Sequence, residues 1–210
     1  MDCPGKQRLF RDDFESDHLH VRYFVPRVPP GSCLSLTERP GWLRLYGQES
    51  LNSCHHVSAV TVPQSAKKEA VQICMECSPD CPEQIAGLCY VYNTENFYLF
   101  GKTADDEGRP FLTLVKSDQM KVTDEMPLLP LPEGSRIWLR IEAEDDTALC
   151  LYSMDGERWT DVGVKLDTDI LTDEYAPGFT GAQFGLYCHD MTGKKMKADF
   201  DYFMAVADEG

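Results

Sequence analysis

The residues of this chain able to do chemistry are its acids, its cysteines and its large aromatics. Asp and Glu number 35 against 20 Lys and Arg, a formal net charge of −15. Two carboxylates within about 10 Å of each other can act as a general acid and base. Among this many acids such pairs arise from composition alone, so proximity singles none out. Nine cysteines stand at positions 3, 33, 54, 74, 77, 81, 89, 150 and 188. Cys74, Cys77 and Cys81, with Cys89 beyond, have the spacing of zinc ligands. Yet Cys74 lies in an alternating stretch, where residues three apart face opposite sides. A bulge or the strand's end, near Pro79 and Pro82, would be needed to converge them. Reduced, buried thiols are the simpler reading of an odd number of cysteines, with zinc and a disulfide as alternatives. His55, His56 and His189 complete no Ser/His/Asp or Cys/His pattern, and glycine-rich phosphate loops are absent.

Aromatic rings can stack on sugar faces, and Trp42, Tyr46 and Trp138 are the candidates, with Trp159 beside them. Large aromatics are also the usual material of cores and sheet packing. The stretch "DEYAPGFTGAQFGLYCHD" (173–190) places Phe179 between Gly178 and Gly181 in a loop broken by Pro177. A phenylalanine exposed there costs hydration free energy, so it must pack on its own core or on something outside the chain.

The acidic balance excludes phosphate backbones and anionic lipid surfaces as partners, and no Lys/Arg run forms a local exception. The start, "MDCPGKQRLF", has neither the basic nor the apolar region of a secretory leader, and no apolar run reaches the roughly 18 residues of a membrane span. A cytoplasmic location follows where this is the natural start.

Positioning these residues requires a framework, and its pattern is short alternating strands broken by turn residues. "WLRLYG" (42–47) sets Leu43 and Leu45 against Trp42, Arg44 and Tyr46. "AVQICMEC" (70–77) and "SRIWLRIEAE" (135–144) alternate in the same way. Segments 86–93 and 96–102 flank "TE" as a hairpin, and 110–117, 183–190 and 197–206 read as further strands. In 148–163, Asp155-Gly156 predicts a two-residue type I′ turn. Only 166–175 could hold a helical turn, and the Pro-rich 127–134 is one connection. About ten strands and no sustained helical period predict an all-β, antiparallel two-sheet sandwich of the jelly-roll type, in one domain spanning 8–206.

"LFRDDFES", "LSLTERPGWLRLYGQESL", "AGLCYVYNTENFYLF", "YSMDGERWTDVG", "DEYAPGFTGAQFGLYCHDMTG" and "KADFDYF" resemble, in order, the C-terminal concanavalin A-like domain of family 43 glycoside hydrolases, the β-xylosidases and α-arabinofuranosidases. The resemblance implies a sandwich packed against a catalytic five-bladed propeller that carries the acids. It also implies a loop, here Gly178, Phe179 and Thr180, that reaches over the sugar pocket and closes it with the phenylalanine. The chain alone is then expected to hydrolyse nothing, and xylan-type oligosaccharide is the implied substrate class. A free-standing carbohydrate-binding protein, or a homo-oligomer covering its own sheet edges, is the alternative. One departure stands out: the family's Arg-rich "LVARRQ" is replaced by "SAVTVPQ" (58–64), which removes two basic residues.

Sandwiches of this type also bind a structural calcium where the first and last strands meet. "RDDF" opens the domain and "DFDYF" closes it, so Asp13 and Asp201, with Glu38 nearby, are the candidate oxygen ligands. The alternative is solvated strand-end acids.

Overall fold

A computed structural model describes residues 6–26 and 29–208. Its strands are β1 (Lys6–Asp12), β2 (Leu34–Ser35), β3 (Leu43–Tyr46), β4 (Ser58–Pro63), β5 (Lys68–Cys77), β6 (Gln84–Val91), β7 (Phe97–Ala104) and β8 (Pro110–Asp118). Then come β9 (Lys121–Asp124), β10 (Leu129–Pro130), β11 (Arg136–Glu144), β12 (Thr147–Ser153), β13 (Thr160–Asp167), β14 (Gln183–Asp190) and β15 (Lys197–Asp208). They form two antiparallel sheets. The first runs β13-β12-β11-β5-β15-β3-β2, with β1 also on β15; the second runs β10-β8-β7-β6-β14-β4, with β9 on β8. The predicted two-sheet sandwich is therefore the observed architecture. Five strands, β1, β2, β4, β9 and β10, lie beyond those read from the sequence. The segment with the expected helical turn holds a single 3₁₀ turn, Thr168–Leu171. No described helix is long and apolar enough to cross a membrane.

Alternation decides which faces meet. Leu43, Leu45, Val71, Ile73, Ile137, Leu139 and Ile141 of the first sheet are fully buried against Leu88, Phe100, Leu114, Phe184 and Leu186 of the second. Each such side chain contributes about 1.5–3 kcal/mol of hydrophobic stabilisation. Two smaller clusters lie outside this layer. On the second sheet, Leu51 and Val57 join Phe97, Leu99 and Tyr187. They belong to a segment tied down by Asp190 N–H donating to the Gln48 carbonyl at 2.8 Å. On the first sheet, Cys74, Tyr202, Met204 and Val206 pack with Trp138.

The Asp155-Gly156 turn differs from the expectation. Gly156 has φ +77°, but Asp155 has no positive φ, and the strands stop at Ser153 and resume at Thr160. The connection is longer because the Asp155 carboxylate organises it, accepting from the N–H groups of Glu157 at 2.9 Å and Arg158 at 2.8 Å. A side chain that caps a turn this way removes the need for two left-handed residues.

The cysteines separate by layer. Cys77 lies in the inter-sheet core, Cys74 in the cluster outside the first sheet and Cys89 in the cluster outside the second. Burial pushes the Cys74 thiol up to about 12 and the Cys77 thiol to about 11. None of the eight described cysteines is in a disulfide, and Cys3 lies outside the described residues. Pleating places Cys74 and Cys77 back to back, so the zinc-like spacing does not converge.

Candidate functional site

The loop between the 3₁₀ turn and β14 carries the most exposed large apolar side chain in the described chain: Phe179 is 99 % exposed. Its backbone is nonetheless held. Ala176 is buried, and its N–H donates to the Thr172 carbonyl at 2.9 Å. The Tyr92 hydroxyl donates to Asp173 Oδ1 at 2.5 Å, and the Thr180 hydroxyl donates to the Tyr92 carbonyl at 3.3 Å. Tyr175 donates to Asp118 Oδ1 at 2.8 Å. The two glycines have different jobs. Gly181 has φ +66°, a left-handed conformation that disfavours a side chain, whereas a Cβ on Gly178 would lie 2.7 Å from the Tyr92 hydroxyl. One supplies the turn and the other the close approach. The result is an ordered platform that raises a phenyl ring into solvent. One flank of the loop borders an open cleft of about 860 Å³ whose walls include Gln64, Asp145, Asp169, Thr172 and Glu174.

The predicted stacking residues are brought together on the outer face of the first sheet, but cations lie over their rings: arginines at Trp42, Trp138 and Trp159, and Lys197 at 5.7 Å from the Tyr46 ring centre. The Arg39 guanidinium sits 3.6 Å from the Trp42 ring centre, and Arg140 lies 3.9 Å from that of Trp159. Trp138 has Arg136 at 6.0 Å and packs on the bare backbone of Gly156. Tyr46 donates to Glu38. Carboxylates hold the arginines in turn. Asp199 accepts from Arg44 Nε at 2.7 Å and Arg39 Nη1 at 2.9 Å, and Glu76 accepts from Arg39 at 2.8 Å and Arg136 at 2.7 Å. Burial would raise Asp199, but its bonds to Arg44 and Arg39 outweigh that and hold it below the usual carboxylate range. Glu76 is lowered by the same balance, through Arg39 and Arg136.

The acids expected to hold calcium are placed as follows. Asp13 is bound by Arg11 Nε at 3.0 Å, and Glu38 takes Arg44 Nη1 at 2.9 Å as well as Tyr46. Asp201 sits at the register shift between Phe200 and Tyr202, within electrostatic range of Arg11 and Arg136. Asp13 and Glu38 are thus ion-paired with arginines, whereas Asp201 feels Arg11 and Arg136 at electrostatic range. No group of three or more His, Cys, Asp or Glu able to hold a metal ion occurs among the described residues.

His189 is equally unsuited to proton transfer with solvent. It is buried, its Nδ1 lies 2.7 Å from the Tyr187 hydroxyl, and burial lowers it to about 4. Tyr92, Asp173, Tyr175 and Asp118, which hold the loop, were not foreseen. Tyr92 ends the β6 run as one more inward aromatic, and nothing in its local pattern announces a partner 81 positions away.

Comparison with known proteins identifies the framework. The model of the β-xylosidase C-terminal concanavalin A-like domain matches residues 11–205. A relative from Escherichia coli (strain K12) is 37 % identical over 203 residues, covering 92 % of this chain and 38 % of its own length. The xylan 1,3-beta-xylosidase of a Vibrio species is 34 % identical over 203 residues, covering 95 % of this chain and 38 % of its own. Among solved structures, the xylan beta-1,4-xylosidase of Bacillus halodurans C-125 superposes with a TM-score of 0.90 at 31 % identity, over all of this chain and 41 % of its own. The chain thus spans about 38 % of the length of the curated relatives it matches.

Proposed function

The chain belongs to the β-xylosidase C-terminal concanavalin A-like domain family, the non-catalytic domain type of family 43 glycosidases, and from that premise we propose that it serves a catalytic domain as scaffold and pocket lid. Phe179 would enter the sugar pocket of a five-bladed propeller, with xylan-type oligosaccharide as the substrate class. The relatives' names support the substrate class, and their extra length supports a catalytic partner.

The observation that carries this reading is the full exposure of Phe179 on a loop that is otherwise tied down. A glycosidase pocket gains from an apolar wall that excludes water and stacks on the sugar. The test is Phe179→Ala in the assembled glycosidase, meaning this domain together with its catalytic domain. Its kcat/KM for an aryl β-xyloside should fall by about tenfold, the scale of one lost pocket contact. An unchanged value would remove the lid.

A further inference from the structure

An unsupported phenyl ring on a flexible loop would collapse onto the nearest apolar surface, because hydration drives it there. Phe179 does not collapse: it is 99 % exposed. Something must hold the segment on both sides of it, and three restraints converge on one residue. Before Phe179, Asp173 accepts the Tyr92 hydroxyl proton at 2.5 Å. Immediately before it, Gly178 lies so close to the Tyr92 phenol that an added Cβ would fall 2.7 Å from the oxygen and 3.0 Å from ring carbon Cε1. Immediately after it, Thr180 donates to the Tyr92 carbonyl at 3.3 Å.

Tyr92 can bear this role because it is itself fixed. It is 4 % exposed within the inter-sheet core, and its N–H donates to the Asn96 carbonyl at 3.0 Å in the β6–β7 connection. Burial and the neighbouring Asp173 carboxylate both hold the phenol above its ordinary value. The hydroxyl therefore keeps the proton it donates. The loop is registered against a rigid sheet end rather than against its own turns.

We propose that Tyr92 and Asp173 are positioning residues for Phe179, setting the height and angle at which the phenyl ring enters a neighbouring sugar pocket. This rests on the lid reading of Phe179. Misplacing a pocket group by about 1 Å can cost a hundredfold in rate, so a loosened clamp should register in catalysis although neither residue touches sugar.

The experiment is a double-mutant cycle in the assembled glycosidase, read as kcat/KM for an aryl β-xyloside. Tyr92→Phe keeps the ring and removes only the hydroxyl, and Asp173→Asn removes only the charge. Each should lower kcat/KM by about three- to tenfold, and neither should lower it further in a Phe179→Ala background, because the clamp acts only through the ring it positions. A merely structural role would instead give losses that multiply. Hydrogen exchange of amides 174–181 in the 210-residue chain gives a readout independent of activity, and it should speed up in Tyr92→Phe. If Phe179→Ala lowers kcat/KM while Tyr92→Phe and Asp173→Asn leave both kcat/KM and exchange unchanged, the positioning role is wrong and the lid stands. If Phe179→Ala itself changes nothing, both fall.

Discussion

Two regions of this molecule bring aromatic rings to the surface, and they solve the problem in opposite ways. On the outer face of the first sheet, Trp42 and Trp159 lie beneath the guanidinium groups of Arg39 and Arg140, and Asp199 and Glu76 anchor the arginine lattice. At the 172–182 loop, Phe179 stands in water with nothing of its own chain over it. A cation above a ring satisfies its face and offsets its exposure. The first set is thus complete within the domain, whereas Phe179 is not. Exposure alone is ordinary for a scattered side chain. Exposure on a platform held by part-buried hydrogen bonds to the Tyr92 hydroxyl and carbonyl requires another explanation, and a partner surface provides it.

The contrast can be broken from either side. The largest effect belongs to the lattice. Asp199→Ala leaves Arg39 and Arg44 without their shared carboxylate and should cost about 2–4 kcal/mol in urea unfolding, discounted for their partial exposure. A loss under about 0.5 kcal/mol would show that the lattice is decoration. The same lattice sets an acid dependence. The folded-state values of Asp199 and Glu76 lie below their unfolded ones. Their stabilisation is therefore complete above about pH 4 and is lost as pH falls through the lowered folded values. Equilibrium unfolding between pH 2 and pH 6, on the scale of those reference values, should show stability falling at the acid end. The fall should be shallower in Asp199→Asn.

Next in size is Trp138→Ala, which opens the contact with Gly156 and uncovers Cys74 and Met204. It should cost about 1–2 kcal/mol. Smallest is Phe179→Ala in the chain by itself, whose melting midpoint should move by no more than about 1 °C, because the ring buries nothing there. A shift of about 3 °C or more, the scale of about 1 kcal/mol in a domain of this size, would mean that the ring packs on its own domain in solution. Calcium or EDTA should likewise leave the midpoint in place, since Asp13 and Glu38 are already bound to Arg11 and Arg44.

What was readable in the sequence follows from range. Alternation is local, so Leu43/Leu45 and Ile137/Leu139/Ile141 pointed to the core without any knowledge of their partners, and so did the separation of Cys74 from Cys77. The Asp155-Gly156 turn misled because Asp155 used its side chain, not its backbone, to close the turn. β4 is not legible from its sequence because it departs from the family pattern and is buried on both faces, a strand without alternation. Of the proposed calcium acids, Asp13 follows the end of β1 and pairs with Arg11 of its own segment, Glu38 pairs with Arg44 of β3, and Asp201 lies inside β15. Phe179 was legible through family likeness, and its two glycines through backbone chemistry. Tyr92 was not, because its hydrogen bond to Asp173 spans 81 residues and depends on the packed sandwich.

The most direct measurement is a crystal structure of the assembled glycosidase with a xylose-type sugar bound. The account predicts the Phe179 ring withdrawn from solvent and in van der Waals contact with the sugar, within about 4 Å, while Trp42 and Trp159 keep their arginine covers. A ring still facing water, with the pocket closed by some other side chain, would contradict it.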